Sequence, residues 1–349
     1  MQSAQLKDVR AESERVQEFS ASAEQRTVKR ADRSFAAFFR RSQNGETPDY
    51  PRFKSWKRFD TVDHTAGDGS KWVPTEGRWA HAYFQGVGHI KVSEHTKVTG
   101  EVNQLSLVRD GRKWYVIAVA TSEIECLPET GRSVGIDVGI DVGINRFLTT
   151  SDGEIVDNPR FGKERADELA DLQRRYEAGN RRSKTLRRKI RTLHRQTKNR
   201  RLNFHHQVAR RLVNQCDVIG LEGLAVDNMI KRAKAKPDPD NPGAFLPNGA
   251  AAKTGLNTSI ADVGWAQFRT ILTAKAENAG RVVVAVNPAY TSIDCCRRGA
   301  RCTRPETPTV VCPVCGPIDA DLNGAINTAL RAGLGSPEGF VVFGERHAA

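Results

Sequence analysis

No stretch of the 349 residues assembles the roughly 18 consecutive apolar residues that a membrane span needs. The N-terminus, Met1-Gln-Ser-Ala-Gln-Leu-Lys-Asp8, lacks the charged-then-apolar order of a secretory signal. These absences predict a cytoplasmic protein with no membrane partner. Cysteine is sparse for most of the chain, yet five of the seven fall between Cys295 and Cys315. A reducing compartment disfavours disulfides, so that crowding predicts a metal site. Acidic residues are missing altogether from 181–201, where eleven of twenty-one positions are Lys or Arg. A solvated helix face mixes both signs, whereas unmixed positive charge suits a phosphate track. Over the whole chain 54 Lys and Arg face 41 Asp and Glu, a net +13 that points to a polyanionic partner, most simply nucleic acid.

What is present divides in chain order. Residues 1–42 are polar and helix-prone, and Phe35, Phe38 and Phe39 at i, i+3, i+4 predict one face packed into a core. Prolines then force an extended loop, Gly45 to Arg58, in which Tyr50, Phe53 and Trp56 alternate with Arg52 and Lys54. Aromatics between cations suit base stacking plus phosphate contact, so Arg52 and Lys54 are candidate nucleic-acid contacts. From Trp72 to Thr121 the pattern has period two, with strands expected at 88–92, 102–108 and 114–119 and an Asp110-Gly111 hairpin turn, hence a small β-barrel or sheet. Residues 162–213 read as two helices broken at Asn180 to Ser183. The second carries Arg181, Arg182, Lys184, Arg187, Arg188, Lys189, Arg191, Arg195 and Lys198 around a thin stripe of Leu186, Ile190 and Leu193. Lys236 to Ala252 reads as a loop, Ser259 as the cap of the next helix, and Arg281 to Asn287 as a fully buried strand.

The stretch Gly135 to Gly153 organises the second half. It predicts a strand at 134–142, a second at 146–150 and a third at 154–156, with Ser151-Asp152-Gly153 as the turn. One acid of the tandem Gly-Ile-Asp-Val repeat, Asp137 or Asp141, lies in the first strand among apolar and glycine positions, where it needs a cation or donors. The glycines beside it permit close approach of something large, such as a phosphate backbone. Glu222 ends a fourth strand and Asp321 begins the last helix. Three strands, helices, a fourth strand, a helix and a fifth strand is the order of an α/β, RNase H-like layered fold. In that topology the three acids meet at one sheet edge. Clustered carboxylates repel unless a cation intervenes, and hard Mg²⁺ or Mn²⁺ fits oxygen ligands. Such ions activate a water and stabilise the leaving oxygen of a phosphodiester. Within the cysteine cluster, Cys312-Pro-Val-Cys315-Gly316 reads as a zinc knuckle supplying two thiolates. A tetrahedral Zn²⁺ site wants four, and Cys295 and Cys302 are the candidates for the others.

This order of motifs resembles the TnpB (OrfB) family of insertion-sequence proteins, relatives of type V CRISPR effectors. The resemblance rests on Ala31 to Arg41, Tyr50 to Ser55, Gly139-Ile-Asp-Val-Gly143, Asn158 to Phe161, Leu221-Glu-Gly-Leu224, Asp262-Val-Gly-Trp265, Asn287 to Ser292, Cys312 to Gly316 and Asp321-Leu-Asn-Gly-Ala-Ile-Asn327. It implies a transposon-encoded, RNA-guided DNA endonuclease with Asp141, Glu222 and Asp321 as the RuvC-type catalytic, metal-binding acids. Asp141 is selected over Asp137 by its spacing to the second strand. The implied partners are a guide RNA from the element's end and a double-stranded DNA target, with sequence read by base pairing and backbones gripped by protein. The implied domains are a helical recognition segment at 1–60, truncated relative to the family, and a wedge-like β-barrel at 61–130. A RuvC-like nuclease domain follows at 131–331, with a basic hairpin at 162–213 and a zinc-finger insertion at 290–318, then a tail at 332–349. The His-hydrophobic-His motif of the element's strand-transferase is missing, so strand transfer is not expected of this chain. A non-cleaving binder is the alternative reading. An actin-like ATPase is remote, because no second Gly-rich phosphate motif occurs late in the chain.

Overall fold

The computed structural model describes residues 2–55, 58–94, 97–137, 145–179, 181–241, 243–306 and 309–335. The chain forms two units, Met1–Glu123 and Ile124–Ala349. No described helix is long and apolar enough to cross a membrane.

In the first unit α1 (Gln2–Glu12), α2 (Glu14–Gln17) and α3 (Ala21–Gln43) precede β1 (Thr61–Thr65), β2 (Ser70–Val73), β3 (Trp79–Phe84), β4 (Gly88–Ser93), β5 (Glu101–Asp110) and β6 (Lys113–Thr121). The period-two pattern produces two antiparallel sheets, in orders β1-β5-β6 and β2-β3-β4. Their alternate residues meet in a core of Ala82, Phe84 and Leu105. Asp110 pairs with Lys113 around Gly111, whose φ of 63° is the left-handed backbone that the hairpin turn demands. Helix α3 docks on β1 through polar bonds: the Thr65 amide donates to Ser22 Oγ at 2.8 Å, and Arg26 donates to Thr65 and Gln104. Phe35 and Phe38 do not enter a core as expected. They meet the Tyr50 ring edge-on at 5.6 and 5.3 Å, and Phe39 is 55% exposed. The proline loop folds back so that Tyr50 packs on this face of the helix.

In the second unit the strands are β7 (Ser133–Asp137), β8 (Arg146–Thr150), β9 (Ile155–Asp157), β10 (Val218–Glu222) and β11 (Val282–Val286). They form one sheet in the order β11-β10-β7-β8-β9, in which β8 alone runs antiparallel to the other four strands. That is the RNase H-like arrangement expected. The turn at Ser151 to Gly153 closes with the Gly153 amide donating to Thr150 O at 2.9 Å. The helices of this unit are α4 (Phe161–Glu164), α5 (Ala166–Ala178), α6 (Lys184–Gln215), α7 (Val226–Met229), α8 (Ala250–Val263), α9 (Trp265–Glu277) and α10 (Ala320–Arg331). A small third sheet, β12 (Thr303–Glu306), β13 (Thr309–Cys312) and β14 (Gly316–Asp319), carries the cysteines.

One face of the main sheet is covered by α6 and α9, which bury Val208, Leu212, Phe268 and Leu272 against Val134, Ile136 and Ile219. Removing one such leucine to alanine costs about 2–5 kcal/mol. The other face is covered by α10. There Gly135 and Gly220 allow the approach, because a methyl group on Gly135 would collide with the Ala325 carbonyl and the Ala329 amide, and one on Gly220 with Ala332. The large group approaching the glycine strand is therefore a helix backbone, and the expectation of a phosphate backbone is corrected at this position.

Three local expectations change. Ser259 lies inside α8, where its hydroxyl donates to Gly255 O, and the break falls instead at Gly264, in left-handed backbone at φ 73°. The loop expected to reach Ala252 ends three residues earlier, at Gly249, because α8 begins at Ala250. Strand β11 is the sheet's edge with one neighbour, so it is only partly buried, and Val282 is 53% exposed. Against α9, His205 is fully buried with Nε2 at 2.9 Å from Val263 O, and burial pushes its pKa down to about 4. A histidine protonated near pH 6.5 when unfolded but near 4 when folded stabilises the fold fully above pH 6.5. That contribution is lost as pH falls toward 4. NMR titration of the histidine rings is expected to show one midpoint near 4, and all eight titrating near 6.5 would contradict this burial.

Candidate functional site

Strands β7 and β10 are parallel neighbours with Ile136 opposite Leu221, so the next residues, Asp137 and Glu222, leave the sheet side by side at its carboxyl edge. That edge is where open α/β sheets bind ligands. Each residue is only 6% exposed, and the two carboxyl groups are hydrogen-bonded to one another. Burying an ionised carboxylate costs several kcal/mol, and two in contact without a cation must share a proton. Burial accordingly raises the Glu222 pKa, while the Thr291 hydroxyl, Asp137 and the Arg331 charge pull it back. Thr291 donates its hydroxyl to Glu222 Oε1.

Helix α10 supplies the third acid. Its N-cap is Asp319, which accepts the Asp321 and Leu322 amides at 3.0 and 3.1 Å, so the capping role belongs to Asp319. Asp321 lies in the first turn, where the helix dipole favours its charge. Three residues on, Gly324 faces Asp137 so closely that a Cβ there would stand 2.8 Å from the Asp137 carboxyl carbon. Residues at i and i+3 share a helix face, so Asp321 is aimed at the same edge. Arg146 of β8 donates to Asp319 at 2.9 Å and to Asp321 at 3.0 Å, placing a fixed cation on the third acid. Among the described residues the three acids do not close to within 4.8 Å of one another, as the thiols do. Asp141 lies outside the described residues, and the acid in contact with Glu222 is Asp137.

The loop between β11 and the cysteines is stapled to α10. Asn323 and Asn327, one turn apart, both donate to the carbonyls of Thr291 and Asp294 at 2.6–3.3 Å, and the Cys296 amide donates back to Asn323 Oδ1 at 2.9 Å. Thr291, Asn323, Asn327, Asp319 and Arg146 are the functional neighbours that reading acids alone misses. The i, i+4 pair of asparagines within Asp321 to Asn327 was the available signal.

The sulfurs of Cys295, Cys312 and Cys315 all lie within 4.8 Å of one another, with Cys295 and Cys315 at 3.8 Å. Cys302 is buried in the same small core as Cys295 and Cys312, with its thiol at 3.8 Å from Ala300 O, but it lies outside the group of three sulfurs. Backbone amides of Cys315 and Val314 hold the Cys312 thiol down at about 7, whereas burial pushes Cys302 and Cys296 up to about 11. A knuckle whose amides face the sulfur suits a thiolate-bound metal.

On α6 the stripe Leu186, Ile190 and Leu193 turns inward as expected, and Ser183 caps the helix by accepting the Leu186 amide. Lys184, Arg187, Arg188, Lys189, Arg191, Arg195 and Lys198 have no ion-pair partner among the described residues; all but the half-buried Arg195 are exposed. Arg181 and Arg182 precede the helix, and Arg181 reaches Glu177 at 3.7 Å. Arg52 and Lys54 are exposed on the proline loop beside Phe53, which is 94% exposed.

Two family models match this chain, one described as "Probable transposase" (OrfB_IS605) over residues 117–233 and one as "Cas12f1-like, TNB domain" over 265–328. Over these residues the chain is similar to the TnpB (OrfB) family. Among its relatives, an Escherichia coli (strain K12) protein with the provisional name RNA-guided DNA endonuclease InsQ is 29% identical over 310 residues, which is 87% of this chain and 72% of that protein. A Streptomyces pristinaespiralis protein, also provisionally named an RNA-guided DNA endonuclease, is 28% identical over 329 residues, 89% of this chain and 71% of its own length. Of solved structures, a Cas12f1–sgRNA–target DNA complex matches 79% of this chain and 68% of that one at TM-score 0.39 and 13% identity, and a CRISPR-Cas12f ternary complex matches 81% and 65% at 0.38 and 13%.

For the cysteine cluster, metal analysis is expected to find about one zinc per chain. Cys312→Ser or Cys315→Ser should bring this near zero, with no change in Cys126→Ser. Well under one zinc in the unaltered protein would contradict the site.

Proposed function

We propose that this protein is a transposon-encoded, RNA-guided DNA endonuclease that hydrolyses phosphodiester bonds at the carboxyl edge of the second unit's sheet. The observation that carries the reading is the buried Asp137–Glu222 pair facing the first turn of α10. In a basic protein similar to this family, buried paired carboxylates have a reason to persist if cations meet them. Asp137, Glu222 and Asp321 would hold Mg²⁺ or Mn²⁺, because an all-oxygen donor set suits hard divalent ions. Bound there, the ions would activate a water and stabilise the leaving oxygen.

The remaining work belongs to the chain itself. Thr291 fixes the Glu222 rotamer, Gly324 leaves room for the Asp137 carboxyl, and Asp319 takes the capping bonds so that Asp321 need not. Arg146 neutralises Asp319 and Asp321 in the metal-free protein. The cations of α6 grip a phosphate backbone without reading sequence, which suits a guide–target duplex recognised by its shape. Arg52 and Lys54 add a second grip on the first unit. The four cysteines would hold a structural Zn²⁺, and β12 to β14 would be the family's zinc-finger insertion. The sheets β1 to β6 would be its wedge-like module. The names of the relatives support RNA guidance and DNA cleavage; the α6 cations support the nucleic-acid partners.

The deciding experiment loads the protein with RNA from the DNA flanking its own gene and measures cleavage of a matched duplex with Mg²⁺. Glu222→Ala and Asp321→Ala are each expected to lower the rate at least a thousandfold, as befits loss of a metal ligand. Asp137→Ala should do the same and Asp141→Ala should retain most activity. The opposite ranking would return the role to the acid that family spacing selects. No cleavage by the unaltered protein under any guide would sink the enzyme reading.

A further inference from the structure

Beside Glu222 the second unit holds a cavity of about 390 Å³, whose floor is Ile136, Leu221 and Phe268, with Trp265 on one wall. The turn after β10 contributes Asp227 and Asn228, and the first turns of α9 contribute Ala266 and Arg269. The size lies in the range of about 300–1,000 Å³ typical of small-ligand sites, and an apolar floor with a few polar groups is the usual composition. Trp265 is 5% exposed, and its indole Nε1 has no hydrogen-bond partner. Stacking on Phe147, with ring centroids 4.4 Å apart, fixes the indole, so the N–H cannot swing away to find one. The indole therefore forms a rigid aromatic wall. Arg269 is exposed at the mouth and pairs with no acid among the described residues.

Resting on the nuclease reading, we propose that this cavity is a nucleotide subsite that takes one unstacked base of the DNA strand under cleavage. The flat, apolar body of a base fits the floor of Ile136, Leu221 and Phe268 against the Trp265 wall, and its amino group meets Asp227 or Asn228. Arg269 meets the adjoining phosphate. Glu222 belongs to both the acid pair and the cavity wall, so a base seated here lies at the same carboxyl edge of the sheet as the acids. The subsite thus selects single-stranded or opened DNA over an intact duplex, because a base must leave its stack to enter.

The test uses the full chain as purified, with its zinc retained and no Mg²⁺ or Mn²⁺ added, with fluorescence anisotropy of a labelled single-stranded pentanucleotide carrying either 2-aminopurine or an abasic residue at its centre. The unaltered protein is expected to bind the base-bearing probe about tenfold more tightly, the scale of one stacked base. Ala266→Phe, made at an exposed helix position, fills the mouth and should abolish that preference while leaving the thermal melt unchanged. Arg269→Ala should weaken both probes alike. Equal affinity for the two probes, or a preference that survives Ala266→Phe, overturns the subsite. Because no Mg²⁺, Mn²⁺ or guide is added, the result is independent of cleavage. If RNA-guided cleavage succeeds while this binding test fails, only the subsite falls; if the base preference is seen and cleavage is not, the nuclease reading falls and the cavity is left as a base-binding site without a cleavage role.

Discussion

Helix α10 lies on the sheet at a distance that only glycine permits. Gly135 on β7 and Gly220 on β10 have no side chain to hold the helix off, and Gly324 on the helix leaves space for the Asp137 carboxyl. Any Cβ at Gly135 would meet helix backbone, which cannot give way as the end of a flexible side chain can. This approach brings the first turn of α10, and with it Asp321, to the edge where Asp137 and Glu222 emerge. The acids are therefore assembled by a packing constraint, and their mutual repulsion is carried by a fold whose other face is filled with leucine, valine and aromatic side chains.

The same helix ties the cysteine module to the acids. Its cap, Asp319, is the last residue of β14, so the third sheet runs directly into the helix. Asn323 and Asn327 then hold the loop that carries Thr291, and Thr291 holds Glu222. A thiolate-bound metal at the base of that sheet would fix the start of α10 and, through Thr291, the orientation of Glu222. In this account the zinc cluster is remote from the chemistry and still part of its support.

Much of this was legible in the sequence. Three strands, a helical hairpin, a fourth strand, a helix and a fifth predicted the sheet order, because the hydrophobic period and turn residues act locally. The unmixed cations of 181–201 predicted an exposed face for the same reason, and Ser183 and Leu186 to Leu193 oriented it. What was not legible depended on contacts far apart in the chain. Gly135 of β7 looked like room for a ligand, and only the register of α10 shows that a helix fills it. Asp319 and Asp321 are equally good caps by residue type, and the helix start alone distinguishes them. The tandem repeat left Asp137 and Asp141 four residues apart with the same neighbours, and spacing to β8 favoured the second, whereas contact with Glu222 favours the first. Phe35 and Phe38 kept helical period but found Tyr50, because periodicity shows a face and not its partner.

The central claim is that Asp137, Glu222 and Asp321 together form the metal-binding edge. Anomalous scattering from crystals soaked in Mn²⁺ tests it most directly, since the signal locates the ion without reference to cleavage. The account predicts an anomalous peak between Asp137 and Glu222 on the side facing Asp321, with Arg146 moved off Asp321. A peak coordinated by Asp141 in place of Asp137, or no peak at this edge at saturating Mn²⁺, would contradict it.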